Sequence, residues 1–336
     1  MNRTRSLFAV SIASFILTGC GVNPSTTATS PPSTANVYVA SSSTSPQIYT
    51  IPANSTGSPT PTSTITIPAL NAVNALTVDS SGNIYAATDD DLREYAAAAT
   101  GTATPIRTIP FDSTTTLSDS FSIAVDSSGN IYAAQYSLSG TQITSSSILV
   151  FSSSASGSVA PIRTISGALT GLVYAEQIAV DSSGNLYVNN LNPNNPQQSS
   201  ILVFAPAATG NVAPVRSLNQ EALAMAVDPA GDIYALTSTG ISIFAPGASG
   251  SAAPTQTIAN ASLGDPAYND GLAVDASGNI YYTSNGTVLN NVRAAVPTIY
   301  RIAAPVAGST TALNNFTPAG WSSSATPLTS YFFAVH

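Results

Sequence analysis

The stretch Ile123-Ala124-Val125-Asp126-Ser127-Ser128-Gly129-Asn130-Ile131-Tyr132 decides the fold. Two short β-branched and aromatic runs flank Asp-Ser-Ser-Gly, where aspartate at the first turn position and glycine at the fourth suit a type I turn with a left-handed closing residue. The pattern reads as a β-hairpin. Close relatives of the string recur with their aspartate at Asp79, Asp126, Asp181, Asp228 and Asp275, at spacings of 47, 55, 47 and 47 residues. One variant, Asp228-Pro229-Ala230-Gly231, places proline where that turn prefers it.

Outward from the hairpin, each unit holds four extended pieces, for example residues 122–126, 130–134, 148–151 and 162–165, each bounded by Gly, Pro, Ser or Asn. Four strands per unit at this period are the signature of a β-propeller blade. Residue size follows the same geometry. Ala124, Ala179, Ala226, Ala273 and Ala334 are expected at the narrow axis, with Tyr132, Tyr187, Tyr234, Phe151, Phe204 and Phe244 further out. Because both faces of a blade pack on neighbours, the strands need not alternate polar and apolar residues.

The two ends complete each other. Asn36-Val37-Tyr38-Val39-Ala40 matches the second strand of the repeat but has no turn motif before it, while Phe332-Phe333-Ala334-Val335-His336 matches the first strand and has nothing after it. The expected fold is therefore all-β: a six-bladed β-propeller over residues 36–336, in which the C-terminal strand closes the N-terminal blade and leaves no unpaired inner edge. The units, which read like IAVDSSGNLYV followed by a strand ending in an aromatic residue, resemble NHL-type and gluconolactonase-like six-bladed propellers. The resemblance covers essentially residues 36–336. It implies an architecture shared by sensors, protein-binding domains, lactonases and lyases.

The N-terminal segment is of another kind. Arg3 and Arg5 precede the apolar run Leu7 to Leu17, too short for a spanning helix and suited to a secretory signal. It ends in Leu17-Thr18-Gly19-Cys20, which resembles the bacterial lipobox, whose cysteine is acylated and becomes the first residue of the mature chain. Residues 1–19 thus read as a lipoprotein signal peptide and residues 20–35 as lipidated Cys20 plus a flexible tether. The alternative is an ordinary signal peptide with a chance cysteine near its end. Several acyl chains would anchor stably, since each buried methylene adds about 0.8 kcal/mol. The reading places the protein in the bacterial cell envelope, on the outer membrane where there are two. Without Arg3 and Arg5 the chain keeps six arginines and no lysine against 16 acidic residues, a formal net charge near −10. That balance argues against nucleic acid as a partner.

Strand order assigns the two faces. Turns between first and second and between third and fourth strands share one face; the connections between second and third strands and between blades share the other. The short repetitive turns fall on the first face, where the tether also arrives at Asn36. The long, dissimilar connections fall on the second, including residues 110–121, 135–147, 166–176, 189–200, 259–270, 284–297 and 314–331. Recognition resides on such loops. They carry Phe111, Tyr136, Tyr174, Tyr268 and Trp321, of residue types favoured at binding surfaces, and these are the candidate ligand-binding residues. The competing reading is that each aromatic plugs its own loop onto the blade.

Catalytic signals are sparse. His336 is the sole histidine and Cys20 the sole cysteine, so a Ser-His-Asp triad or a histidine-rich metal site has no residues to use. Asp89, Asp90 and Asp91, with Glu94 nearby, form the densest acidic run and a candidate calcium site, against the plainer reading of a solvated acidic loop. In gluconolactonase-like propellers a metal sits at the channel mouth on carboxylates and asparagine amides. That resemblance draws attention to Glu176, Asn189 and Asp270, of which Glu176 joins the candidate metal ligands. The repeated turn aspartates read as hairpin acceptors, and Arg107, Arg163 and Arg216 as outer-edge solvating charges. The leading functional expectation is a lipid-anchored binding or scaffold propeller that recognises a protein or glycan without a cofactor. The alternatives are a metal-dependent lactonase or lyase and a structural envelope protein.

Overall fold

The computed structural model describes residues 35–41, 46–67, 72–118, 120–139, 142–259, 271–284, 288–289, 292–293, 298–303, 312–316 and 332–335. Among the described residues six four-stranded antiparallel sheets are arranged as the blades of a propeller, and Val288–Leu289 and Val292–Arg293 pair as a separate small hairpin in the connection between the second and third strands of the sixth. The fourth blade is typical: Tyr174–Val180 lies innermost, followed by Leu186–Leu191, Ser200–Phe204 and Arg216–Leu218. The first blade takes its inner strand from the end of the chain, with Val37 opposite Val335 and Ala40 opposite Phe332. This is the expected closure.

The hairpin motif works through its aspartate. Asp126 Oδ1 accepts hydrogen bonds from the Ser128 and Asn130 amides, both at 2.9 Å, while Oδ2 accepts from Asn130 Nδ2 at 2.9 Å and the Tyr132 hydroxyl at 3.4 Å. One carboxylate thus ties the turn to the second strand, and Asp79, Asp181 and Asp275 repeat the pattern. The fifth blade departs from it: Asp232 stands where the others have asparagine, and burial followed by the Asp228 carboxylate holds its carboxyl above the usual aspartate range. Gly231 in that turn has φ +90°, and a β-carbon there would stand 2.8 Å from the Tyr187 hydroxyl of the fourth blade. Only glycine permits that approach.

The core lies between blades. Each of six apolar clusters joins two neighbours: Tyr85, Leu92 and Ile109 of the second blade with Ile131, Leu149 and Phe151 of the third, for instance, or Val37 and Ile51 of the first with Tyr281 and Ile299 of the sixth. Burial on both faces explains the near-continuous apolar strands. Ala179, Ala226, Ala273 and Ala334 line the central channel as expected, whereas Ala124 belongs to the packed cluster between the third and fourth blades.

Two expectations need correction. Residues 135–147 are not an irregular loop: Ile131–Ser139 and Gln142–Phe151 continue as one long hairpin, with Tyr136 opposite Ser146. Serine and threonine there extend the ladder because their short side chains suit a two-stranded ribbon facing solvent. Arg107, Arg163 and Arg216 are likewise not solvated edge charges but clips between blades. Arg163 donates to the Tyr132 hydroxyl in its own blade (2.9 Å) and to the carbonyls of Pro206 and Ala208 in the next. Arg107 reaches Ser153 and Ala155 in the same way while pairing with buried Glu94, and Arg216 reaches Pro246. Next to these clips, Gly210 and Gly250 form parallel bridges with the outer strand of the preceding blade, and Gly157 donates to Thr108 O at 2.7 Å. The guanidinium satisfies carbonyls in the connection between the third and fourth strands of the next blade.

Candidate functional site: the loop-face mouth of the central channel

A channel of about 390 Å³ runs along the axis, lined by inner strands of all six blades. Alanine and valine form its narrow wall, and Glu176 is the one charged side chain among the described lining residues. A local irregularity places that charge there. In the strand pair of the fourth blade Ala175 faces Asn190 and Gln177 faces Asn189, so Glu176 is an extra residue at a β-bulge. Bulges re-aim side chains. The same slip leaves out Asn74 in the second blade and Phe121 in the third.

These bulge positions share one station in the repeat, five residues before the turn aspartate. In the fifth blade that station is Leu223, which lines the channel and is 39% exposed although large and apolar. Counting back in the sequence gives Asp270 in the sixth blade and Tyr331 in the first, both outside the described residues. Asparagine, phenylalanine, glutamate, leucine, aspartate and tyrosine therefore occupy one repeat position, while the opposite face carries nearly the same turn each time. The signal was present in the sequence, but the bulge that gives it meaning is a property of strand pairing.

Neighbouring groups hold Glu176 in place. Asn189, fully buried, donates from Nδ2 to Glu176 Oε2 (3.2 Å) and to Ala222 O (3.0 Å), while its Oδ1 has no hydrogen-bond partner. An enclosed acceptor left without a donor costs about 1–3 kcal/mol. Gln177 Oε1 accepts the Met225 amide of the next blade (2.6 Å), and Ser122 Oγ of the preceding blade accepts the Ile178 amide (3.0 Å), so the strand carrying the bulge is fixed from both sides.

Tyr136 and Tyr174, named from sequence, meet at this mouth. Their rings stand edge to face with centroids 4.8 Å apart, the first from the long hairpin of the third blade and the second from the inner strand of the fourth. Burial, then the Glu176 carboxylate and then Tyr136 push the Tyr174 phenol well above its ordinary range, so it stays neutral. Phe111 is placed differently: half-buried, it packs against the cluster between the second and third blades. Cys20, Tyr268 and Trp321 lie outside the described residues.

The structure does not bring the candidate metal ligands together. Asp89 accepts from Ala72 N (3.1 Å) and Asn74 Nδ2 (2.9 Å), and Asp91 accepts from the Thr88 hydroxyl and Arg93 Nε, both at 2.7 Å. These residues and exposed Asp90 belong to the second blade and Glu176 to the fourth; among the described residues no three acidic, histidine or cysteine side chains form a group able to hold an ion. Asn189 presents its amide protons, not its oxygen, to Glu176, and as it stands does not fit a cation shared with that carboxylate.

No protein-family model and no curated protein matches the sequence. Solved structures do resemble the fold. A protein of unknown function from Bacteroides caccae aligns over 90% of this chain and 99% of its own at 12% identity, with a TM-score of 0.58. A chain of a nidogen/laminin complex aligns over 90% and 98%, also at 12% identity, with a TM-score of 0.56. At this identity the likeness establishes the propeller fold alone.

Proposed function

We propose that this chain is a lipid-anchored binding propeller of the bacterial cell envelope, of the NHL-like group, which recognises a protein or glycan through the loop-face mouth of its channel. The observation that supports it most is the station before each turn aspartate. Its residue type differs from blade to blade while the turn on the opposite face is nearly constant, and its members that line the channel, Glu176 and Leu223, stand on the blade that carries Tyr174 and on the next. Dissimilar side chains on a rigid scaffold suit a recognition surface. The signal segment and Cys20 support the anchor, and the chain enters the first blade at Asn36 on the face opposite the mouth.

The test is capture from envelope extracts and glycan arrays by the chain lacking residues 1–20, compared with a Tyr136→Ala/Tyr174→Ala double variant. The expected result is a partner retained by the parent and lost by the variant at unchanged melting temperature. Capture indifferent to both tyrosines would remove the loop-face mouth as the binding surface. Cys20→Ser is expected to move the full chain from the membrane to the soluble fraction.

A further inference from the structure

On the turn face, opposite the mouth, one repeat station follows each connection between third and fourth strands and donates its amide back to the third strand. Thr62 donates to Thr50 O, Ile106 to Glu94 O, Ile162 to Val150 O, Val215 to Val203 O and Thr255 to Ile243 O, at 2.7 or 2.8 Å. In the first and fifth blades the threonine hydroxyl also turns back onto that carbonyl, at 3.1 and 3.0 Å. In the three consecutive blades between them the side chain is aliphatic and open to solvent: Ile106 is 55%, Ile162 56% and Val215 59% exposed. A lone exposed aliphatic residue needs no explanation; one station repeated over three neighbours does. Charge is partitioned as well. Among the described residues the exposed charged side chains are Asp89, Asp90 and Glu221, all on loop-face connections, while the turn-face connections 53–61, 96–105, 152–161, 205–214 and 245–254 contain no Asp, Glu, Lys or Arg. The turn aspartates are buried or half-buried and bonded within their own turns.

The same face receives the chain where it enters the first blade at Asn36. From Gly21 to Ala35 the chain reaches at most about 50 Å even when fully extended. A propeller acylated at Cys20 is thus kept close to its bilayer, and any second contact with that bilayer is intramolecular, so a few aliphatic side chains suffice. A fluid surface needs no shape match, which suits three separate aliphatic tips better than does a protein interface built on a central aromatic cluster. We infer that Ile106, Ile162 and Val215 rest on the bilayer that holds the acyl anchor, seating the propeller on its second to fourth blades with the loop-face mouth outward. With its acidic side chains covered, this side meets lipid phosphates without like-charge repulsion. The inference rests on the anchor reading and adds to it a contact and an orientation.

The experiment reconstitutes the acylated full chain in vesicles of phosphatidylethanolamine and phosphatidylglycerol, with a fluorophore on a single cysteine introduced by Ile106→Cys, Ile162→Cys or Val215→Cys, or by Asp90→Cys on the loop face. Acylation occupies Cys20, so the introduced thiol is the one that reacts. Nitroxide carried on the lipids is expected to quench the three turn-face probes at least about threefold more than the probe at 90, as for side chains at the headgroup boundary. In a second arm the probe sits at Ala207→Cys, in the turn-face connection of the fourth blade, and serine replaces Ile106, Ile162 and Val215 together. Its quenching is expected to fall at least about twofold while the protein stays on the vesicles at an unchanged melting temperature. Protein that floats with the vesicles but shows equal quenching at all four single sites would overturn the inference and leave the anchor standing, as would quenching at 207 indifferent to the three serines. Shielding of the three stations that appears only when envelope proteins are added would assign them to a protein partner and overturn the bilayer contact. A chain that does not float, with Cys20 open to thiol reagents, would remove the anchor and the inference together.

Discussion

Asn189 reaches from the second strand of the fourth blade to the bulged Glu176 of the inner strand, donating to its carboxylate at 3.2 Å and to the Ala222 carbonyl at 3.0 Å. One amide therefore holds the channel-mouth charge against its own blade and against the connection into the next. Asn189→Ala is expected to lower unfolding free energy by about 2–3 kcal/mol, since it leaves a buried carbonyl unpaired. Glu176→Gln should cost less than about 1 kcal/mol because an oxygen acceptor remains. Urea denaturation of the two variants checks this, and equal losses would mean that the pair does not organise the mouth.

The arginine clip gives a second test. Arg163 spans two blades with hydrogen bonds to Tyr132, Pro206 and Ala208 and stands 5.6 Å from the Tyr132 ring centroid. Arg163→Ala is expected to cost about 2 kcal/mol, in the range for hydrogen bonds to charged groups. Arg163→Lys should recover little, because a point charge cannot reproduce the planar fork. Full recovery by lysine in a melting experiment would reduce the clip to simple charge.

The fifth-blade turn predicts a pH effect. The folded-state pKa of Asp232 is raised, by burial first and then by Asp228, so its contribution is most favourable in acid and is lost as pH rises through the raised value. Asp232→Asn restores the residue used in the other turns and should raise the melting temperature at neutral pH. The gain should vanish as pH falls below the ordinary aspartate range, where the carboxyl is protonated in both states. A gain independent of pH would assign the effect to something other than ionisation.

Closure of the ring rests on a few residues. Removing residues 332–336 strips the partner of Val37–Ala40 and exposes an unpaired inner edge. The shortened chain is expected to melt far lower or to oligomerise, as read by calorimetry and sedimentation. A monomer with the parent's melting temperature would refute the closure.

Calcium should have little effect on stability. Asp89 and Asp91 are already engaged by Ala72, Asn74, Thr88 and Arg93. Excess calcium against chelator is therefore expected to shift the melting temperature by less than about one degree, whereas saturating a specific site would add about 2.7 kcal/mol at one hundred times Kd. A calcium-specific rise would reopen the metal-dependent reading.

The repeat determined the architecture by itself. Turn aspartates at a nearly constant period and the split first blade specify strand number, blade number and closure, because hairpins and blade packing are encoded by short-range pattern. The sequence also picked out Tyr136, Tyr174 and Glu176 as residues on one face. Their meeting at one mouth was decided by tertiary structure, since Tyr136 and Tyr174 come from different blades and Glu176 enters the channel through a one-residue register slip. The roles of Arg107, Arg163 and Arg216 were hidden for the same reason: as edge residues of isolated sheets they read as solvated charges, and only the neighbouring blade supplies the carbonyls that bind them. Local pattern sets each blade, whereas channel, mouth and clips exist only between blades, where residues some fifty positions apart are brought within hydrogen-bond distance.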